Sequence, residues 1–172
     1  LEMPRGEVVR QLTEEEAARV YAAYGMTRSD RPDGMQPSVV KVGLADILLP
    51  VNNKGRLDSA LQNRDAVIAL SKEFNVGGVH AFYAPQKGQT TAYCRNFAPL
   101  YGIDEEAATG TSNASLTYFL FQQGMITPDA INIFLQGEAM GRPSIILSRI
   151  DSVGTTHIGG NAVISVKGTL NI

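Results

Sequence analysis

The stretch from Ala107 to Pro128 holds no charged residue. Within it, Leu116, Tyr118, Phe119, Leu120 and Phe121 spread around the whole circumference of a helix rather than along one stripe. A helix that is apolar on every side has to be buried on every side. It is too short to cross a bilayer, which takes about 20 apolar residues. The sequence therefore predicts a helix from Glu105 to Gly124 at the centre of a domain, with the rest of the chain packed around it.

What surrounds this helix reads mainly as sheet. Ser38 to Val42, Leu44 to Val51, Gly77 to Tyr83 and Thr90 to Phe97 are strand-like, the last two as a pair around the turn Pro85-Gln86-Lys87-Gly88. Beyond the central helix, Ile131 to Leu135, Ser144 to Ile150, Thr155 to Ile158 and Ala162 to Val166 are rich in β-branched residues. Two further helices are expected. One follows Thr13-Glu14-Glu15-Glu16, a capping box, shows Val20, Tyr21 and Tyr24 on its inner face and stops at Gly25. The other runs from Arg64 to Phe74, with Val67, Leu70 and Phe74 on one side. Asn52-Asn53-Lys54-Gly55 reads as a turn. No regular strand–helix–strand alternation and no Gly-x-Gly-x-x-Gly loop is present, so a doubly wound parallel sheet is disfavoured. The expected class is α+β, a curved, mostly antiparallel sheet wrapped around one buried helix. Residues 1–37 form a leading strand, capped helix and loop, and residues 38–172 form the main lobe.

Composition narrows the function classes. Of 172 residues, 44% are hydrophobic and 19% charged, an ordinary balance for a chain that buries a core. The net charge of −2 and the lack of a basic stretch argue against a nucleic-acid partner. No apolar run is long enough to span a membrane, and no signal peptide is recognisable, so the cytoplasm is the expected compartment. The one cysteine, Cys94, excludes an internal disulfide and reads as a buried strand residue. His80 and His157 lie far apart without a second ligand at metal spacing, so no metal site is expected. The chain opens Leu1-Glu2-Met3-Pro4 without an initiator methionine and reads as a fragment or processed product.

Chemistry concentrates where the central helix begins, at Glu105-Glu106-Ala107-Ala108-Thr109-Gly110-Thr111-Ser112-Asn113. A first helical turn leaves backbone N–H groups without helical acceptors, and the dipole adds partial positive charge there. Gly110 permits close approach of a ligand, and the hydroxyls of Thr109, Thr111 and Ser112 supplement the amides. One of these hydroxyls would suffice merely to cap the helix. Glu105 reads as a carboxylate that suits the dipole, and Glu106 as the candidate proton-transfer group. Gly159-Gly160-Asn161-Ala162 is a second candidate anion site, its alternative being a plain tight turn. Arg142 reads as an exposed loop residue. Arg95 is expected to be partnered, with Glu105 or Glu106.

Arg95-Asn96-Phe97-Ala98-Pro99, followed by Gly102-Ile103-Asp104-Glu105-Glu106-Ala107-Ala108-Thr109-Gly110-Thr111, resembles the signature of the phenazine-biosynthesis PhzF-like family. Gln136-Gly137, Met140-Gly141-Arg142-Pro143-Ser144 and Ile158-Gly159-Gly160-Asn161-Ala162-Val163 extend the resemblance to about residues 38–170. It implies the diaminopimelate-epimerase-like fold of two similar lobes, each a curved sheet around a helix, with the active site between them. It implies a cofactor-independent isomerase or epimerase that moves a proton on a small carboxylic acid. Glu106 falls where the family carries the aspartate of Glu-Asp-Pro, and Thr109, Gly110 and Thr111 fall on Thr-Gly-Ser. Ala107 replaces the proline, and Ser112 replaces the following alanine. Thr109 also stands where the related two-thiol racemases carry cysteine, which disfavours a thiol mechanism.

The first-lobe segments of that family, including the Asn-Leu-Ser-Glu-Thr that carries its proton-shuttling glutamate, are absent from this sequence. The expectation is a carboxy-terminal lobe binding a small carboxylate, completed by a first lobe or by a second copy of the chain. The alternative is a non-catalytic binding or assembly module.

Overall fold

The computed structural model describes residues 1–169. Nine strands form one mixed sheet: β1 (Glu7–Gln11), β2 (Ser38–Val42), β3 (Leu44–Pro50), β4 (Val79–Tyr83), β5 (Ala92–Ala98), β6 (Ile103–Glu106), β7 (Asn132–Gln136), β8 (Ser144–Ile150) and β9 (Thr156–Gly159). The helices are α1 (Glu14–Ala22), α2 (Lys54–Asp58), α3 (Arg64–Phe74) and α4 (Gly110–Gln122). The spatial order is β1-β2-β3-β4-β5-β7-β8-β9, with β6 also paired to β5. Among the described residues only the β3–β4 and β5–β7 pairings are parallel, so the sheet is mostly antiparallel, as the sequence predicts.

The sheet curls until its edges are joined by one stretch of chain. Residues 7–11 pair with β2, while Leu1 and Met3 exchange backbone hydrogen bonds with β9 on the opposite edge. Between these pairings the chain passes over Tyr118 of α4. A Cβ at Gly6 would lie 2.3 Å from that ring, so only glycine fits without displacing it.

Alternation along the strands explains why β3 reads as a nearly continuous apolar run. Ile47 and Leu49 face outward with Val79 and Ala81, into a core shared with Tyr21 and Val20 of α1 and Val67 and Leu70 of α3. Leu48 and Phe82 face inward, against Leu116, Phe119 and Leu120 of α4. Strands covered on both faces lose the polar half of the period-2 pattern. α4 is enclosed by β2, β3, β8 and β9, as a helix apolar all round requires.

Three local expectations are corrected. The central helix starts at Gly110, not Glu105. Glu105 and Glu106 belong to β6, which pairs with β5 and is held extended by that pairing. Asn52 to Gly55 is not a simple turn, because the Asn53 side chain accepts the Arg56 N–H and starts α2. The strand expected over Ala162 to Val166 is absent: residues 160–169 form no regular structure and lie exposed. β-branched residues make a strand only beside an open edge, and Leu1–Met3 already occupies that of β9. The capping box at Thr13 forms with both reciprocal hydrogen bonds.

Candidate functional site

The inner face of the sheet carries a row of polar side chains beneath the start of α4. His80 of β4 lies opposite Asn96 of β5, and Asn96 lies opposite Glu106 of β6. His80 Nδ1 is 3.0 Å from Asn96 Oδ1. Burial pushes the His80 imidazole down to about 4, only partly opposed by its hydrogen bond with Asn96, so the ring is neutral near pH 7. Asp46 of β3 joins the group. It is 5% exposed, and Ser112 Oγ donates to its Oδ2 at 2.7 Å. Burial pushes this carboxyl up to about 6, only partly opposed by Ser112 and the Gly78 N–H.

Asp46, Asn96 and Glu106, but not His80, line a cavity of about 330 Å³. Asp46, Asn96, Glu106, Thr109, Thr111 and Ser112 supply its polar wall, and Leu44, Tyr101 and Ile103 its exposed apolar mouth. Among the described residues no lysine, arginine or histidine lines it. Thr109 is the residue before the first helical turn, yet its hydroxyl makes no capping hydrogen bond and donates instead to Glu106 Oε2 at 2.8 Å. The first-turn amides of α4 are therefore left without a side-chain cap at the cavity wall.

The candidate residues divide between two adjoining spaces. Glu106, Thr111 and Ser112 face the cavity described above. Gly110, Gly159 and Gly160 line a neighbouring groove of about 550 Å³, and Thr109 borders both. Gly159 closes β9 opposite Leu147, and neither Gly159 nor Gly160 has the positive φ of an anion nest. Glu105 points away from the cavity to Arg95, through two hydrogen bonds of 2.8 Å. Cys94 is buried inside the sheet, where desolvation raises its thiol well above the ordinary range and keeps it protonated. Among the described residues no group of three histidine, cysteine or acidic side chains is placed to hold a metal ion. None of their helices is long and apolar enough to cross a membrane.

Sequence reasoning missed Asp46 and Asn96. The usable signal for Asp46 was one charge inside the otherwise apolar run Leu44 to Val51. Asn96 carried no such mark, because a polar residue in an alternating strand normally faces solvent.

A curled sheet closed on a single buried helix, with a carboxylate-lined opening at that helix's start, defines one lobe of the diaminopimelate-epimerase-like class. Two solved structures share this fold: a predicted epimerase from Pseudomonas aeruginosa (TM-score 0.76, 23% identity, 96% of this chain and 58% of that one) and a phenazine biosynthesis protein of the PhzF family from Bacillus anthracis (TM-score 0.73, 14% identity, 91% and 54%). The chain belongs to the phenazine biosynthesis-like (PhzC-PhzF) family, whose model matches residues 7–168. It is 30% identical over 142 residues to an uncharacterized isomerase from Deinococcus radiodurans, covering 78% of this chain and 46% of the relative. It is 35% identical over 80 residues to the trans-2,3-dihydro-3-hydroxyanthranilate isomerase of Pseudomonas chlororaphis, covering 44% and 29%. The chain spans about half the length of the longer curated relatives it matches.

Proposed function

We propose that this chain forms one wall of a cofactor-independent isomerase or epimerase site that moves a proton between carbon atoms of a small carboxylic acid. The observation that carries the reading is the placement of Glu106 beside an uncapped helix start, across a cavity shared with Thr111 and Ser112. In this reading the first-turn amides of α4 hold the substrate carboxylate, helped by Thr111, while Glu106 exchanges a proton with the adjacent carbon. The isomerase names of the relatives support it. The opposite wall and a second proton-transfer group come from a first lobe or from a second copy of the chain. The exposed apolar mouth at Leu44, Tyr101 and Ile103 supports such a covering partner.

The test follows deuterium entering trans-2,3-dihydro-3-hydroxyanthranilate from D₂O by NMR, with the chain joined to its complementary lobe. Glu106→Gln should lower kcat about 100-fold or more, the scale of general acid–base catalysis, with little change in KM. Equal loss of binding and turnover would count against the proton-transfer role. Thr111→Leu should weaken binding by filling the cavity beside the first turn, and unchanged affinity would remove the anion-site model. If Glu106→Gln retains full exchange, the non-catalytic module is the better reading.

A further inference from the structure

A chain of hydrogen bonds runs from the first turn of α4 to the carboxylate of Glu106, and the direction of every donor in it is fixed. Asn113 Nδ2 donates to the Thr109 carbonyl at 2.8 Å and to Gln136 Oε1 at 2.7 Å. Gln136 Nε2 donates to the Glu106 carbonyl at 2.7 Å and to Thr109 Oγ1 at 3.1 Å. Thr109 Oγ1 donates to Glu106 Oε2 at 2.8 Å. A backbone carbonyl can only accept, so the two carbonyl contacts settle which end of each amide is nitrogen. With Oγ1 already accepting from Gln136, the single Thr109 proton is left pointing at the carboxylate. Asn113 and Gln136 are fully buried, out of reach of the cavity.

We propose that Gln136 is a positioning residue for Glu106, acting through Thr109. Gln136 grips Glu106 twice, at its backbone carbonyl and, through the threonine hydroxyl, at its side chain. This fixes both the end of β6 and the orientation of the carboxylate in the cavity. The proposal rests on Glu106 being the proton-transfer group, and extends that reading to a buried residue of β7 that touches no ligand.

The deciding measurement is NMR on the unmodified chain. The relay requires a scalar coupling across the hydrogen bond between Gln136 Nε2 and the Glu106 carbonyl carbon, and a slowly exchanging Thr109 hydroxyl proton. Absence of both overturns it. Gln136→Met, of similar volume, should speed exchange of the Thr109 hydroxyl with water at least tenfold while the methyl signals of Leu116 and Leu120 keep their positions. Thr109→Ser should retain the protected proton. A Thr109 proton equally protected in Gln136→Met overturns the relay. In the deuterium-exchange assay Gln136→Met should lower kcat about tenfold or more with KM unchanged, as expected from a misplaced reacting group. If the NMR results hold while Glu106→Gln has no effect on exchange, the functional reading fails and the relay stands as architecture alone.

Discussion

Arg95 holds Glu105 in a two-pronged ion pair, Nε to Oε1 and Nη2 to Oε2, each at 2.8 Å. Its remaining nitrogen, Nη1, donates to the carbonyls of Leu57, Asp58 and Ala60 at the end of α2. One guanidinium thus ties β5, β6 and α2 together, and the residue after Glu105 is the candidate proton-transfer group. The two side chains are only 11% and 15% exposed, so removing one leaves a nearly buried charge uncompensated. Arg95→Met should cost on the order of 3 kcal/mol in urea unfolding. A loss no larger than that of an exposed pair such as Arg19–Glu73 would show that water reaches the site freely.

Asp46 should make the protein less stable as pH rises. Its folded-state carboxyl is pushed up to about 6 from an ordinary value of 3.8, mainly by burial. The folded state therefore holds the proton more tightly, and the contribution present below pH 3.8 is lost as pH rises through about 6. Asp46→Asn keeps an acceptor for Ser112 without the charge. It should stabilise the fold by about 3 kcal/mol at pH 8 and by much less at pH 4, read from thermal unfolding at both pH values.

His80 acts in the opposite direction. Its folded-state value is pushed down to about 4, so the unfolded chain takes up a proton first, near pH 6.5. Stability is full above that pH and declines as pH falls toward 4. His80→Gln should flatten this acid limb, by on the order of 3 kcal/mol between pH 7 and pH 4. An unchanged slope in the variant would show that the ring titrates freely in the folded state.

Gly78, which leads into β4, allows two backbones to meet. A Cβ there would sit 2.0 Å from the Phe97 carbonyl oxygen, a contact that no side-chain rotation relieves. Gly78→Ala should cost at least about 2 kcal/mol in denaturant unfolding, the scale of overpacking against a rigid neighbour. Gly88→Ser, in open space, is the matched control, although its φ of +125° adds some strain.

The buried helix, most strands and the two longer flanking helices were legible because each depends on local periodicity and capping. The strand of Ala162 to Val166 was misread because β-propensity cannot tell whether an open edge is within reach. The start of α4 was misread because the uncharged, small residues after Glu106 suit a helix as well as a turn, and only the pairing of β6 with β5 keeps the two acids extended.

The sequence alone determined that a helix apolar on all sides must lie inside a sheet, and it marked the start of that helix as the candidate anion site. It also placed Glu106, Thr109 and Thr111 within a few residues of one another. Only the tertiary structure brought Asp46, from 66 positions before Ser112, into hydrogen-bond contact with it. It alone turned Glu105 away to Arg95, aimed the Thr109 hydroxyl at Glu106 and set Gln136 behind them both. The reason is physical. Periodicity and helix polarity are properties of neighbouring residues, whereas the curl of the sheet decides which distant polar groups must satisfy one another away from water.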